Sequence, residues 1–125
     1  MDSISTDVTH FPQYPDIAIL RIKGFIYANT LVPVDRALQS ILASKKKKIV
    51  FDLSETNYIS SGGWALLHTS HQRFLDEGGD FALSGMKPEV QDAFELLEYN
   101  KVMRAFPSVE DALKQGFERA TTVKS

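Results

Sequence analysis

The stretch FDLSETNYISSGGWALL, residues 51–67, carries the chain from an apolar run into a helical pattern through two serines and two glycines. IVFDL, residues 49–53, is an apolar run too short for a helix and reads as a strand buried on both faces. Downstream, Gly63, Leu66, Leu67, Ser70 and Phe74 line one face at helical spacing, and the glycines of EGGD, residues 77–80, end that pattern. Ser60 and Ser61 therefore stand at a strand-to-helix junction. A hydroxyl there is open to four readings: nucleophile, helix cap, phosphate acceptor or plain turn residue.

Working outward, DIAILRIKG (16–24) is apolar on both faces until Arg21 and Lys23, which marks a strand with one end near solvent. Leu31, Val34, Leu38, Ile41 and Leu42 recur at helical spacing, with Asn29 or Thr30 placed to cap a helix of about four turns. The lysines of SKKKK (44–48) form a solvated loop that also discourages strand pairing. FALSG (81–85) is another buried strand, Pro88 opens a short helix striped by Val90, Ala93, Phe94 and Leu97, and VMRAF (102–106) ends in a short strand. Ser108 caps a closing helix with Glu110 and Asp111 in its first turn and Val109, Ala112, Leu113 and Phe117 as its stripe. At the other end, Ile4, Thr6 and Val8 alternate as an edge strand before the turn FPQYPD, together about residues 1–16, and residues 120–125 read as a frayed tail. No repeat or linker divides the chain. The expectation is one α/β domain over residues 1–125, with a mixed sheet of about four to five strands flanked by about four helices.

Composition narrows the function. A chain of 125 residues buries enough surface to fold without staples, and 43% hydrophobic with 24% charged residues are ordinary globular values. The formal net charge of −2 supplies no basic field for nucleic acid. Without cysteine there is neither a disulfide framework nor thiolate chemistry, which fits a reducing cytoplasm. MDSISTDVTHF has no basic region leading into an apolar segment, and nowhere do about 18 apolar residues run together, so neither secretion nor a membrane span is expected.

Candidate chemistry is sparse. His68 and His71 stand i, i+3 on one helix, yet two ligands without an H-E-x-x-H frame are better read as core-margin or surface side chains than as a metal site. A serine hydrolase would use Ser61 as nucleophile on a strained turn, but the G-x-S-x-G elbow is missing. Neither G-x-G-x-x-G nor G-x-x-x-x-G-K-[ST] occurs, so no familiar nucleotide loop is present. What remains is the helix start itself, where unpaired N–H groups and the macrodipole favour negative charge. A phosphate of about −1.5 to −2 charges on a serine would sit well there. Gly62 and Gly63 leave the hydroxyl unshielded for a partner's approach, although each glycine costs roughly 1 kcal/mol against alanine inside a helix.

The residues IVFDLSETNYISSGGWALL resemble the signature of the STAS domain, the fold of bacterial anti-sigma factor antagonists. There a strand ending in D-L-S leads through a short loop to D-S-S-G or a variant such as S-S-A-G. The likeness extends to IAILRIKG, to LVPVDRALQSILASKKKKIV and to FALSGMKPEVQDAFELLEYNKVMRAFPSVEDAL, nearly the whole chain. Aligning the motif glycine on Gly63 puts the family's phosphoacceptor at Ser61, with Ser60 standing where aspartate is common and offering a second possible acceptor. Gly62 replaces a second serine or alanine, Trp64 replaces a leucine and is open to a core or an interface role, and Asp52 matches the aspartate that ends the buried strand.

The resemblance implies a cytoplasmic, non-enzymatic regulatory module that works by partner switching. Unmodified, a surface of Asn57, Tyr58, Ser60, Ser61, Gly62, Gly63 and Trp64 would bind an anti-sigma factor that is also a serine kinase of the histidine-kinase-like ATPase fold. Phosphorylated on Ser61, it would be released, and a serine phosphatase would reset it. ATP and Mg²⁺ belong to that kinase, so no cofactor and no metal are expected in this chain. The alternatives are a non-switching STAS subunit of a larger assembly, such as a stress-sensing complex or a lipid or anion transport system, and, more distantly, a small serine hydrolase.

Overall fold

The computed structural model describes residues 4–44 and 46–117. The apolar, β-branched run Ile17–Ile26 forms the longest strand, β2, and the sheet is organised on it. β1 (Ile4–Thr9) pairs with β2 antiparallel, while β3 (Lys48–Asp52), β5 (Asp80–Ser84) and β6 (Arg104–Phe106) follow in parallel, in the order β1-β2-β3-β5-β6. A sixth strand, β4 (Thr56–Ile59), pairs in parallel with the end of β2 at Gly24–Ile26. β3 and β4 thus succeed each other along β2. The expected four to five strands omitted β4, and its register explains why. Thr56 faces Gly24 but Tyr58 faces Phe25, so the ladder slips by one residue at Asn57 and no period-2 pattern survives in the sequence.

Side chains alternate across this sheet and build two cores. Ala18, Leu20, Ile22, Phe51, Phe81 and Leu83 face α1 (Leu31–Ala43), α2 (Ser61–Asp76) and α3 (Pro88–Leu96), which contribute Val34, Leu38, Trp64, Leu67, Phe74 and Phe94. On the other face Ile17, Ile19, Val50 and Ala82 are covered by Ala112 and Leu113. These two follow a single α-turn, α4 (Val109–Asp111), in a π-helical segment, Ala112–Phe117, instead of the continuous α-helix expected. Ser108 does cap that turn, accepting from Asp111 N at 3.1 Å. The tail at 120–125 lies outside the described residues.

Thr30 has a different task from the one its spacing suggested. Its hydroxyl makes no cap for α1; it donates to the Phe25 carbonyl at 2.5 Å and accepts from Tyr27 N at 3.0 Å. The buried hydroxyl thereby clamps the turn between β2 and α1.

His68 and His71 diverge on α2: the first leans on Tyr99 and the second meets the edge of Phe81 at 5.2 Å between centroids. His71 is held below its ordinary value of 6.5, first by burial and then by the nearby His68. Because the folded state resists protonation, the unfolded chain takes up the proton first as pH falls through 6.5. Stability from this group is therefore intact above 6.5 and declines below it until the folded form also protonates. Urea unfolding at about pH 7.5 and about pH 5.5 should show His71→Gln losing less stability on acidification than the wild type; equal losses would contradict this role.

Candidate functional site

The site grows from the ends of β2, β3 and β4. Asp52 closes β3 and is fully engaged: one carboxylate oxygen accepts from Ser54 N at 3.0 Å and Ser54 Oγ at 2.7 Å, the other from Arg21 Nε at 3.3 Å. It fixes a turn, and its hydrogen bonds go to Ser54 and Arg21 and not to the serine pair. The Thr56 hydroxyl, buried, donates to the Ile22 carbonyl at 2.7 Å and anchors the start of β4 to β2. At the other end of β4, Ser60 N donates to the Ile26 carbonyl at 2.8 Å, which fastens the entry to α2.

Ser60 is the N-cap of α2. Its backbone is extended (φ −75°, ψ 170°), and its hydroxyl oxygen accepts from Gly63 N at 3.1 Å. Ser61, the first helical residue, is exposed, as is Gly62. The two serines that sequence left as competing acceptors thus separate: Ser60 is half-buried and occupied as a cap, Ser61 is open. Among the described residues no histidine hydrogen-bonds either hydroxyl, so the general base that a serine nucleophile requires is not assembled here.

Two residues expected at the partner surface lie inside instead. Gly63 is buried, and a Cβ there would come within 2.9 Å of the γ2 methyls of Ile26 and Ile59 and 3.1 Å of the Ile26 carbonyl. Close packing of helix on sheet explains this glycine, and partner access does not. Trp64 is 1% exposed, stacked on Tyr99 at 5.5 Å and tilted against Phe94 at 5.8 Å. Its indole N–H meets no acceptor among the described residues. The open choice between core and interface resolves to core.

The exposed members are Asn57, Tyr58, Ser61 and Gly62, with Ser60 at their margin. One neighbour escaped sequence reading: Lys87, whose ammonium donates to Asn57 Oδ1 at 2.6 Å. Thirty positions separate the pair, so no local signal could have paired them. No cluster of three or more His, Cys, Asp or Glu capable of holding a metal occurs among the described residues. No described helix is long and apolar enough to cross a membrane.

Fold and site together define a small α/β binding module with an unshielded hydroxyl at a helix start. The chain belongs to the STAS domain family, which it matches over residues 9–112. An anti-sigma factor antagonist from Mycobacterium paratuberculosis has the same fold, with a TM-score of 0.80 at 23% identity over 90% of this chain and 92% of that one. The anti-sigma factor antagonist SpoIIAA in its unphosphorylated form gives 0.72 at 13% identity over 89% and 95%; Bacillus SpoIIAA in its phosphorylated form gives 0.66 at 12% over 89% and 98%. A murine solute carrier 26 anion transporter gives 0.62 at 14% identity, covering 90% of this chain but 22% of the transporter. The chain is thus a STAS domain, and its likeness to these solved structures is one of fold.

The two glycines should respond in opposite senses. At Gly62 a Cβ would meet only ordinary contacts, 3.8 Å from Leu31 Cδ1 and from Ser60 Oγ. Gly62→Ala should therefore be neutral or gain up to about 1 kcal/mol of helix propensity. Gly63→Ala drives its methyl into stiff β-branched stems, so overpacking of about 1–3 kcal/mol should exceed that gain and lower the urea midpoint. Equal midpoints for the two variants would mean that α2 is not seated as described.

Proposed function

We propose that the chain is a cytoplasmic anti-sigma factor antagonist that works by partner switching, with Ser61 as its phosphoacceptor. The observation that carries this reading is the division of labour at α2: Ser60 caps while Ser61 stays exposed at the first helical position. A kinase can reach the Ser61 oxygen without dismantling the cap. The phosphate added would sit beside the positive end of a sixteen-residue helix, whose dipole favours it in the free protein. Bound face to face with a partner, the same dianion loses its hydration and costs more than the helix end returns, unless the partner supplies a cation. Modification thereby leaves the fold in place and releases the complex.

The partner in this reading is an anti-sigma factor with serine kinase activity and the histidine-kinase-like ATPase fold, which brings its own ATP and Mg²⁺; a serine phosphatase restores the binding form. The likeness to SpoIIAA, described in both unphosphorylated and phosphorylated forms, supports the cycle. The likeness to one portion of an anion transporter motivates the alternative of a non-switching subunit in a larger assembly.

Incubation with purified anti-sigma kinase, ATP and Mg²⁺ should add one phosphate, at Ser61 by peptide mass mapping. Ser61→Ala should bind the kinase persistently. Ser61→Asp should weaken binding by at least about tenfold, or 1.4 kcal/mol, while the free domain gains about 0.3–1 kcal/mol from the helix end. Phosphate on Ser60 alone, or equal kinase affinities for wild type and both variants, would remove the phosphoswitch and favour the static subunit.

A further inference from the structure

The cations on this end of the molecule are not alike. Arg21 lies beside Asp52 and Glu55, Lys23 beside Glu55 and Lys101 beside Glu98. Lys87 has no carboxylate within ion-pair distance among the described residues; its one hydrogen-bond partner is the neutral amide of Asn57. Asp52 and Glu55 already face Arg21 and Lys23, and the exposed Glu89, in the first turn of α3, makes no ion pair with Lys87 among the described residues. An amide oxygen orients an ammonium without neutralising it, and only one of the three N–H donors is used.

The placement is built by the backbone. Asn57 is the residue that the β2–β4 ladder skips, and such a slip re-aims a side chain that regular pairing would have turned elsewhere. It also leaves Tyr58 52% exposed beside it. From Tyr58 the chain passes through Ile59 and Ser60 to the open Ser61. Lys87, for its part, is fixed by its position as the N-cap residue of α3, immediately before Pro88. A cation held by Asn57 and a half-exposed tyrosine therefore stand at the strand that leads to the proposed phosphoacceptor.

We propose that Asn57, Tyr58 and Lys87 form a second recognition element of the kinase-binding surface, in which Lys87 selects a partner presenting an aspartate or glutamate next to an apolar contact for Tyr58. This rests on the reading that the same end of the domain docks the kinase. Lys87 is a specificity determinant in it, and Asn57 is a positioning residue that acts through Lys87.

The variants Lys87→Gln and Lys87→Arg separate charge from geometry, because glutamine retains an N–H donor and a similar stem whereas arginine retains the charge. Calorimetry with the purified kinase should show Lys87→Gln weakened about tenfold at about 50 mM salt and markedly less at about 300 mM, where the charge is screened. Lys87→Arg should bind within about threefold of wild type at both. Unchanged thermal midpoints would accompany both results. Lys87→Gln binding like wild type at low salt would overturn the proposal, as would a loss that salt does not alter and arginine does not rescue. Ser61→Asp measured alongside keeps the two readings apart: if Ser61→Asp weakens binding and Lys87→Gln does not, Lys87 alone is wrongly assigned; if Ser61→Asp binds like wild type, it is the phosphoswitch that fails.

Discussion

The close seat of α2 on β2 and β4 governs the rest of the site. The Ser60 N–H bonded to the Ile26 carbonyl at 2.8 Å fixes where the helix begins, and Gly63, pressed against Ile26 and Ile59, fixes how near it comes. Once that seat is set, the helical period assigns the neighbours. Ser60 must cap, Ser61 and Gly62 must face outward, and Gly63 and Trp64 must face the core. A side chain at residue 63 would press on Ile26 and Ile59 and strain the seat on which these assignments rest.

The same seat would let the proposed phosphate be added to Ser61 without unfolding. The cap is supplied by Ser60, and the carboxylate of Asp52 is occupied by Ser54 and Arg21, so neither depends on the Ser61 hydroxyl. Trp64 anchors the first turn from beneath through Tyr99 and Phe94. The exposed hydroxyl thus stands on a platform whose cap, turn and packing contacts do not use it. Where aspartate is common in the resembling motif, Ser60 caps the helix without a negative charge.

Most of the fold was legible because burial on two faces leaves strong marks. IAIL, IVF and FAL read as buried strands, and the stripes of α1, α2 and α3 read as helices, since each places apolar side chains at the period of its element. β4 was not legible: four residues, two of them polar, with a register slip that puts Thr56 and Ile59 both inside, leave neither alternation nor an apolar run. Thr30 carries a cap-forming residue type but spends its hydroxyl on the preceding turn, a choice set by the Phe25 carbonyl and not by spacing. At the site, the serine pair was legible and the difference between its members was not, because it depends on which hydroxyl the Gly63 N–H finds. Gly63 stands on the stripe of α2 and also reads as partner surface, and Trp64 stays open, because what buries them, Ile26 and Ile59 for the one and Phe94 and Tyr99 for the other, comes from other elements. Lys87 lay beyond reach, since its partner is thirty positions away.

The central claim is that phosphate is added to a platform that does not move. Amide NMR spectra of the unmodified and Ser61-phosphorylated chain test it most directly. The account predicts shifts concentrated in Ser60–Trp64 and at the neighbouring Leu31, with the amides of Leu20, Phe51 and Leu83 in the sheet unchanged. Shifts of similar size spreading through those core strands would contradict it, because they would mean that the fold itself is what the modification changes.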